Sequence, residues 1–154
     1  MHAGPTLNED LRPDESLALR FASDMESLVA ARDRVRSHLE ERGVDEGAIY
    51  AADLALEELA GNTLRYGYDE VGAGSLRIGV GIDRTSVHVS ISDDARPFDP
   101  TRYPEPDPPR SLASTPIGGR GISMVRRSVR AMRYRREGRG NRIDVEIPRT
   151  EAGI

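Results

Sequence analysis

Glu58 and Asn62 stand four residues apart in the stretch ALEELAGNTLRYGY, residues 55–68. Residues at that spacing on a helix share a face, with Cβ atoms roughly 5–6 Å apart. The stretch has the required periodicity: Leu56, Leu59, Ala60 and Thr63 recur at the three-and-four spacing of one apolar stripe. Asn is a mediocre helix former because its side chain competes for backbone hydrogen bonds, so its place in mid-helix calls for some other interaction. A carboxylate can take a proton from a hydroxyl or from metal-bound water. An amide oxygen is a hard neutral ligand suited to Mg²⁺, which keeps several waters and completes its shell with substrate phosphates. Taken alone, the pair is more simply a capping or interhelical hydrogen bond.

Two further stretches carry chemistry-bearing residues. In ISDDARPFDP, residues 91–100, an acid follows directly on a strand. Such an aspartate can accept a hydrogen bond from an exocyclic amine like that of adenine; in isolation it is equally an Asx turn leaving a strand. The glycine cluster GGRG, residues 118–121, opens a helix. The free N–H groups and positive dipole end there attract anions, and glycine lets a phosphate come close to the backbone. Glycine-rich helix starts are nevertheless common. The sequence has neither G-x-x-x-x-G-K-[ST] nor G-x-G-x-x-G.

The elements that hold these residues are legible from pattern. The 154 residues suit one domain with a core, at 37% hydrophobic and 31% charged. No apolar run approaches the ~20 residues that span a membrane. The first residues, MHAGPTLNEDLRPDES, have no basic and apolar regions of a secretory signal, and cysteine is absent, which excludes disulfides, thiolate metal sites and a Cys nucleophile. A cytoplasmic protein without membrane contact is the expectation. Residues 1–14 read as a flexible tail, 15–149 as one domain and 150–154 as a second tail.

Within the domain, SLALRFASD alternates as a strand. DMESLVAARDRVRSHLEERG is a helix capped by Asp24 and stopped by Gly43, with Leu28, Val29, Val35 and Leu39 inward. Asp45 starts a second helix that carries Glu58 and Asn62 and ends near Tyr66–Gly67. GSLRIGVGID and TSVHVSISDD form a hairpin with its turn at Asp83–Arg84. From Ala95 to Gly119, seven prolines forbid helix and central strand, and a loop this long is usually functional or mobile. GGRGISMVRRSVRAM is a third helix with Ile122, Val125 and Val129 inward, and RYRREGRGNRIDVEIP a closing hairpin. The order βαα-ββ-loop-α-ββ gives an α+β two-layer sandwich with the helices on one face.

Net charge is −4, yet nine arginines and one acid, Glu137, lie between Arg120 and Arg142. That stretch is either a solvated face or a surface for an acidic partner; the acidic whole argues against direct nucleic-acid binding. His38 reads as a surface residue between charged neighbours, and as the one conceivable phospho-acceptor of a histidine-kinase catalytic module. His2 and His88 show no ligand spacing.

Order and spacing of the three motifs, over roughly residues 17–148, resemble the Bergerat fold of the GHKL superfamily (histidine-kinase-like ATPases). Within it they are most similar to anti-sigma-factor serine kinases of the RsbW type. EELAGNTLRYGY resembles that family's N box, DDARPFDP its D-x-G-x-P-F-D box and GGRGISMV its G-x-G-[LI] box. The resemblance implies a mixed, mainly antiparallel sheet and an ATP- and Mg²⁺-dependent serine/threonine kinase. It implies Glu58 as general base and Asn62 as Mg²⁺ ligand. Asp93 would read the adenine amine. Ala95, Pro97, Phe98 and Gly118, Gly119, Arg120 and Gly121 would line the nucleotide, under an ATP lid at about residues 95–118. It further implies a STAS-type anti-anti-sigma protein as substrate, an RNA polymerase sigma factor as competing partner, and a homodimer. The chain departs from the family pattern at Ala95, usually Gly; at Tyr66, commonly His; at Ile117, sometimes a phosphate-binding Arg for which Arg120 would substitute; and at Asn141, often Thr. A nucleotide-binding partner-switch protein without catalysis is the alternative these departures motivate.

Overall fold

Strand alternation places Leu17, Leu19 and Phe21 on one side of the chain, and all three are buried. They belong to β2 (Leu17–Ala22) of a sheet in a computed structural model that describes residues 5–7, 11–102 and 120–150. The other strands are β1 (Thr6–Leu7), β3 (Ser75–Ile82), β4 (Ser86–Asp93), β5 (Ala131–Glu137) and β6 (Gly140–Pro148). Their order in the sheet is β1-β2-β3-β4-β6-β5, and every neighbouring pair is antiparallel. Register puts Leu19 opposite Ile78, Ile78 opposite Ile91 and Ile91 opposite Ile143, so one apolar row crosses the central strands.

The helices cover that row. Asp24 caps α1 (Met25–Glu41) by accepting from the Ser27 N–H at 2.7 Å, and Asp45 caps α2 (Glu46–Ala55) by accepting from Ala48 N–H at 3.1 Å. The buried stripe of α1 is Leu28, Ala31, Val35, His38 and Leu39. Two expectations are corrected here. Val29 is 48% exposed, because it sits one residue, about 100° of helix, away from that stripe. His38 lies in the stripe and not on the surface: it is 4% exposed, with Nε2 2.8 Å from the Ser16 hydroxyl. That burial removes it as an accessible phospho-acceptor. The last helix, α4 (Arg120–Ser128), buries Ile122 and Val125 and ends before Met132, which alternates with Tyr134 in β5 opposite Val145 and Ile143. No helix among the described residues is long and apolar enough to cross a membrane.

The far face of the sheet is polar, and the N-terminal segment crosses it. Thr6 and Leu7 pair with Arg20 and Leu19. Glu15 accepts from Arg77 Nη1 at 2.9 Å and Nη2 at 2.6 Å, with side chains 10% and 4% exposed. Glycine in β3 permits this: a Cβ at Gly79 would lie 1.6 Å from Glu15 Oε2, and one at Gly81 would lie 2.2 Å from the Asp14 carbonyl oxygen. Residues 11–14, read as part of a loose tail, are thus held against the sheet, and β1 adds an edge strand.

Candidate functional site

The helix bearing Glu58 and Asn62 is not regular. Between α2 and α3 (Gly61–Tyr66) it passes through a π turn at Leu56–Ala60, which contains Glu58. A π turn inserts a residue into the α repeat and recurs at functional sites. Glu58 is half-buried and Asn62 is 8% exposed. Among the described residues neither the carboxylate nor the amide has a hydrogen-bond or ion-pair partner. The capping or interhelical bond that would explain the pair structurally is therefore not made among the described residues.

The third motif meets the first at Gly121. A Cβ there would lie 1.7 Å from Glu58 Oε2 and 2.1 Å from its Cδ. The first turn of α4 can approach the carboxylate only because position 121 has no side chain. Arg120 is the first residue of α4. Gly118, Gly119 and Ile117 lie outside the described residues, as does the expected lid from residue 103 onward. Of that lid, Pro100–Arg102 forms a single 3₁₀ turn, whose Pro100 carbonyl accepts from Arg126 of α4.

The second motif lies one turn further along the helix. The Thr63 hydroxyl donates to the Leu59 carbonyl at 3.2 Å and reaches Asp93 Oδ2 at 3.4 Å. Asp93 Oδ1 accepts from the Ala95 N–H at 2.9 Å, closing the Asx turn, and from Asn141 Nδ2 at 2.8 Å. A cavity of about 130 Å³ opens beside them. Leu59, Ile91, Ala95, Pro97, Phe98 and Ile143 give it apolar walls, with Thr63, Asp93 and Asn141 as polar points and Tyr66 at 60% exposure on its rim. The Ala95 methyl lines the cavity and also packs against Gly67, where a Cβ would lie 2.7 Å from it.

A larger cavity of about 870 Å³ lies across the sheet, beneath the 11–16 segment. Part of its charged lining is paired, Glu15 with Arg77 behind it, His88 with Asp83 and Arg142 with Asp144, and it contains none of the motif residues. The smaller, apolar-walled cavity with few converging polar groups is the one built like a ligand site.

Sequence reasoning missed the residues that shape this loop. Asn141, noted only as a departure, is 6% exposed and bonds Asp93, the Phe98 N–H, the Arg96 carbonyl and the Tyr134 hydroxyl. Arg136 donates to the Ala95 carbonyl at 3.0 Å. The Tyr68 hydroxyl donates to Asp94; burial, then that hydrogen bond, pushes the phenol pKa well up and fixes the acid beside Asp93. The basic stretch is largely committed inside the molecule, with Arg126 on Pro100, Arg130 on Ser86, Arg136 on Ala95 and Arg142 on Asp144.

Comparison with known proteins fits this geometry. The model of the histidine kinase-like ATPase domain family matches residues 21–147. A crystal structure of the RsbU and RsbW domains of Rv1364c from Mycobacterium tuberculosis superposes with a TM-score of 0.56 at 17% identity, over 86% of this chain and 32% of that one. The chain thus spans about a third of that structure, and the likeness is one of fold. The mycobacterial sensor histidine kinase MprB matches with a TM-score of 0.46 at 17% identity, over 83% of this chain and 97% of that one. Curated proteins give no match. The family match covers most of the chain: the protein belongs to the histidine kinase-like ATPase domain family.

Proposed function

We propose that this protein is an ATP- and Mg²⁺-dependent serine/threonine kinase of the anti-sigma type. It would phosphorylate a STAS-type anti-anti-sigma protein and, by partner switching, sequester a sigma factor. The observation that carries the reading is that Glu58 and Asn62 have no hydrogen-bond or ion-pair partner among the described residues, with Glu58 against Gly121 at the start of α4 and Thr63, next to Asn62, in the wall of the Asp93 cavity. Family membership supports ATP as the nucleotide, and the RsbW domain named in the mycobacterial structure agrees with the motif resemblance.

The residues present fit the groups this function needs. An uncharged amide suits a hard cation that takes few protein ligands, and the backbone N–H groups that open α4 suit a phosphate at a helix N-terminus. Bound Mg·ATP supplies the transferable phosphoryl group and the charge neutralisation that dominates such catalysis. The chain's own part is positioning. Asp93 holds an acceptor toward the cavity, the apolar walls exclude water from the base, and Asn62 offers its oxygen to the metal. The Glu58 carboxylate orients the attacking serine hydroxyl and takes its proton.

Incubation with radiolabelled ATP, Mg²⁺ and a STAS-type protein tests this. Acid-stable phosphoserine should form, and Glu58→Gln should lower its rate by about 10²–10⁴-fold. No label on any STAS-type protein, with nucleotide bound, would instead favour the second reading, a partner switch without chemistry. The Ala95 methyl on the cavity wall and the engagement of Asp93 by Asn141 motivate that reading. Asn62→Ala separates the two, since it abolishes phosphorylation under the first and leaves partner binding intact under the second.

A further inference from the structure

Asn141 sits between two sets of groups that fix which way its amide points. Its Oδ1 faces donors only: the Phe98 N–H at 3.2 Å, the Tyr134 hydroxyl at 2.6 Å and Arg136 Nη1 at 3.2 Å. Its Nδ2 faces acceptors only: Asp93 Oδ1 at 2.8 Å, the Arg96 carbonyl at 2.9 Å and the Ala95 carbonyl at 3.5 Å. Turning the amide over would set oxygen against three acceptors and NH₂ against the N–H of Phe98 and the guanidinium. The side chain is 6% exposed, so water does not compensate such a flip.

The consequence falls on the two oxygens of Asp93. Oδ1 accepts from the Ala95 N–H, from Asn141 Nδ2 and, at 3.4 Å, from the Asn141 N–H. Among the described residues Oδ2 meets only the Thr63 hydroxyl, at 3.4 Å, and that hydroxyl lies closer to the Leu59 carbonyl, at 3.2 Å. A hydroxyl has one proton to give, so Oδ2 keeps its lone pairs beside the cavity. It can accept from an amine on a base, whereas a carbonyl in that place would meet it acceptor to acceptor.

We infer that Asn141 is a positioning residue for base selection: by occupying Asp93 Oδ1 while tying down residues 95–98, it commits Oδ2 to a 6-amino purine and against a 6-oxo purine. The inference rests on the nucleotide reading above and adds the residue that sets its selectivity. Asn141 acts through Asp93 and through the loop that carries Phe98. Tyr134 and Arg136, both from β5, orient it in turn.

Calorimetric titration of the full chain with Mg·ATP and Mg·GTP, for the unaltered protein, Asn141→Asp and Tyr134→Phe, tests it, with thermal melts alongside. The unaltered protein should favour ATP by about a hundredfold or more. Asn141→Asp keeps the shape but turns the donor facing Asp93 into an acceptor, and the ATP:GTP ratio should fall by about tenfold or more. Because two facing carboxylates share a proton, that ratio should recover as the pH is lowered. Tyr134→Phe should lower it by a few-fold, and it decides the matter if Asn141→Asp does not fold. A general loss of packing would weaken both nucleotides alike and leave the ratio unmoved, as would a purely structural Asn141; an unmoved ratio overturns the inference, and so does an unaltered protein that binds ATP and GTP equally. Failure of the unaltered protein to bind ATP removes the nucleotide reading itself, and this inference with it.

Discussion

Gly121 and Glu58 are in contact so close that the α-hydrogen of the glycine is all that fits between the backbone of α4 and the carboxylate. A Cβ at position 121 would stand 1.7 Å from Oε2. Gly121→Ala therefore displaces the proposed base without touching its chemistry. Alanine is favoured over glycine in a helix by roughly 0.5–1 kcal/mol, and the group displaced is the end of a side chain, so the melting temperature should hold. Phosphoryl transfer should fall by about 10²-fold or more, measured as initial rates beside a thermal melt. Unchanged rates in a folded variant would mean that Glu58 is not poised at this place.

The Glu15–Arg77 pair fastens the N-terminal segment to the polar face of the sheet. Removing one partner strips a buried charge of its counter-charge, which costs about 3–5 kcal/mol, whereas replacing both by apolar residues is often near neutral. Arg77→Met should be strongly destabilising and Arg77→Met with Glu15→Leu much less so, as read by urea denaturation. Equal losses in the two variants would argue that packing, not the unpaired charge, sets the cost.

Acid should reveal the same pair. Burial alone would raise the Glu15 pKa, but hydrogen bonds from the Arg77 side chain and the Arg12 N–H outweigh it and hold it below the ordinary 4.5. A depressed carboxylate stabilises the fold fully above its unfolded pKa and loses that contribution as pH falls through the folded value. Stability should therefore drop below about pH 4.5 in the natural sequence, with a shallower slope in the double replacement.

His38 gives a second pH dependence at higher pH. Burial, then Arg42 and Arg34, lower its pKa from 6.5. The folded state thus resists a proton that the unfolded chain accepts, and stability is complete above 6.5 and declines as pH falls below it. His38→Gln, which retains a hydrogen-bonding group toward Ser16, should flatten that decline in denaturation midpoints taken across the window. A slope identical to that of the natural protein would place the titration elsewhere.

Much of the fold was legible because its signals are local. Asp24 and Asp45 as caps, the alternation of Leu17, Leu19 and Phe21, and the hairpin through Asp83 need no tertiary knowledge. Val29 and His38 were misplaced because composition was read ahead of phase: the stripe through Leu28, Ala31, Val35 and His38 takes whatever residue falls on it. The π turn left one cue, the poor helix former Gly61 directly after it. Nothing local marks Asn141 as the hub of residues 93–98, because its partners lie 43 to 48 positions away, apart from Tyr134 and Arg136. Glu15 was likewise hidden, since its partner Arg77 belongs to a strand 62 residues later.

The account turns on whether Asn62 faces a nucleotide-bound metal. Titration calorimetry with ATP, with and without Mg²⁺, for the natural protein and Asn62→Ala, measures this directly. The account predicts binding that requires Mg²⁺ and is weakened by Asn62→Ala by about tenfold or more. No binding at millimolar ATP, or Mg²⁺-dependent binding that Asn62→Ala leaves unchanged, would contradict it.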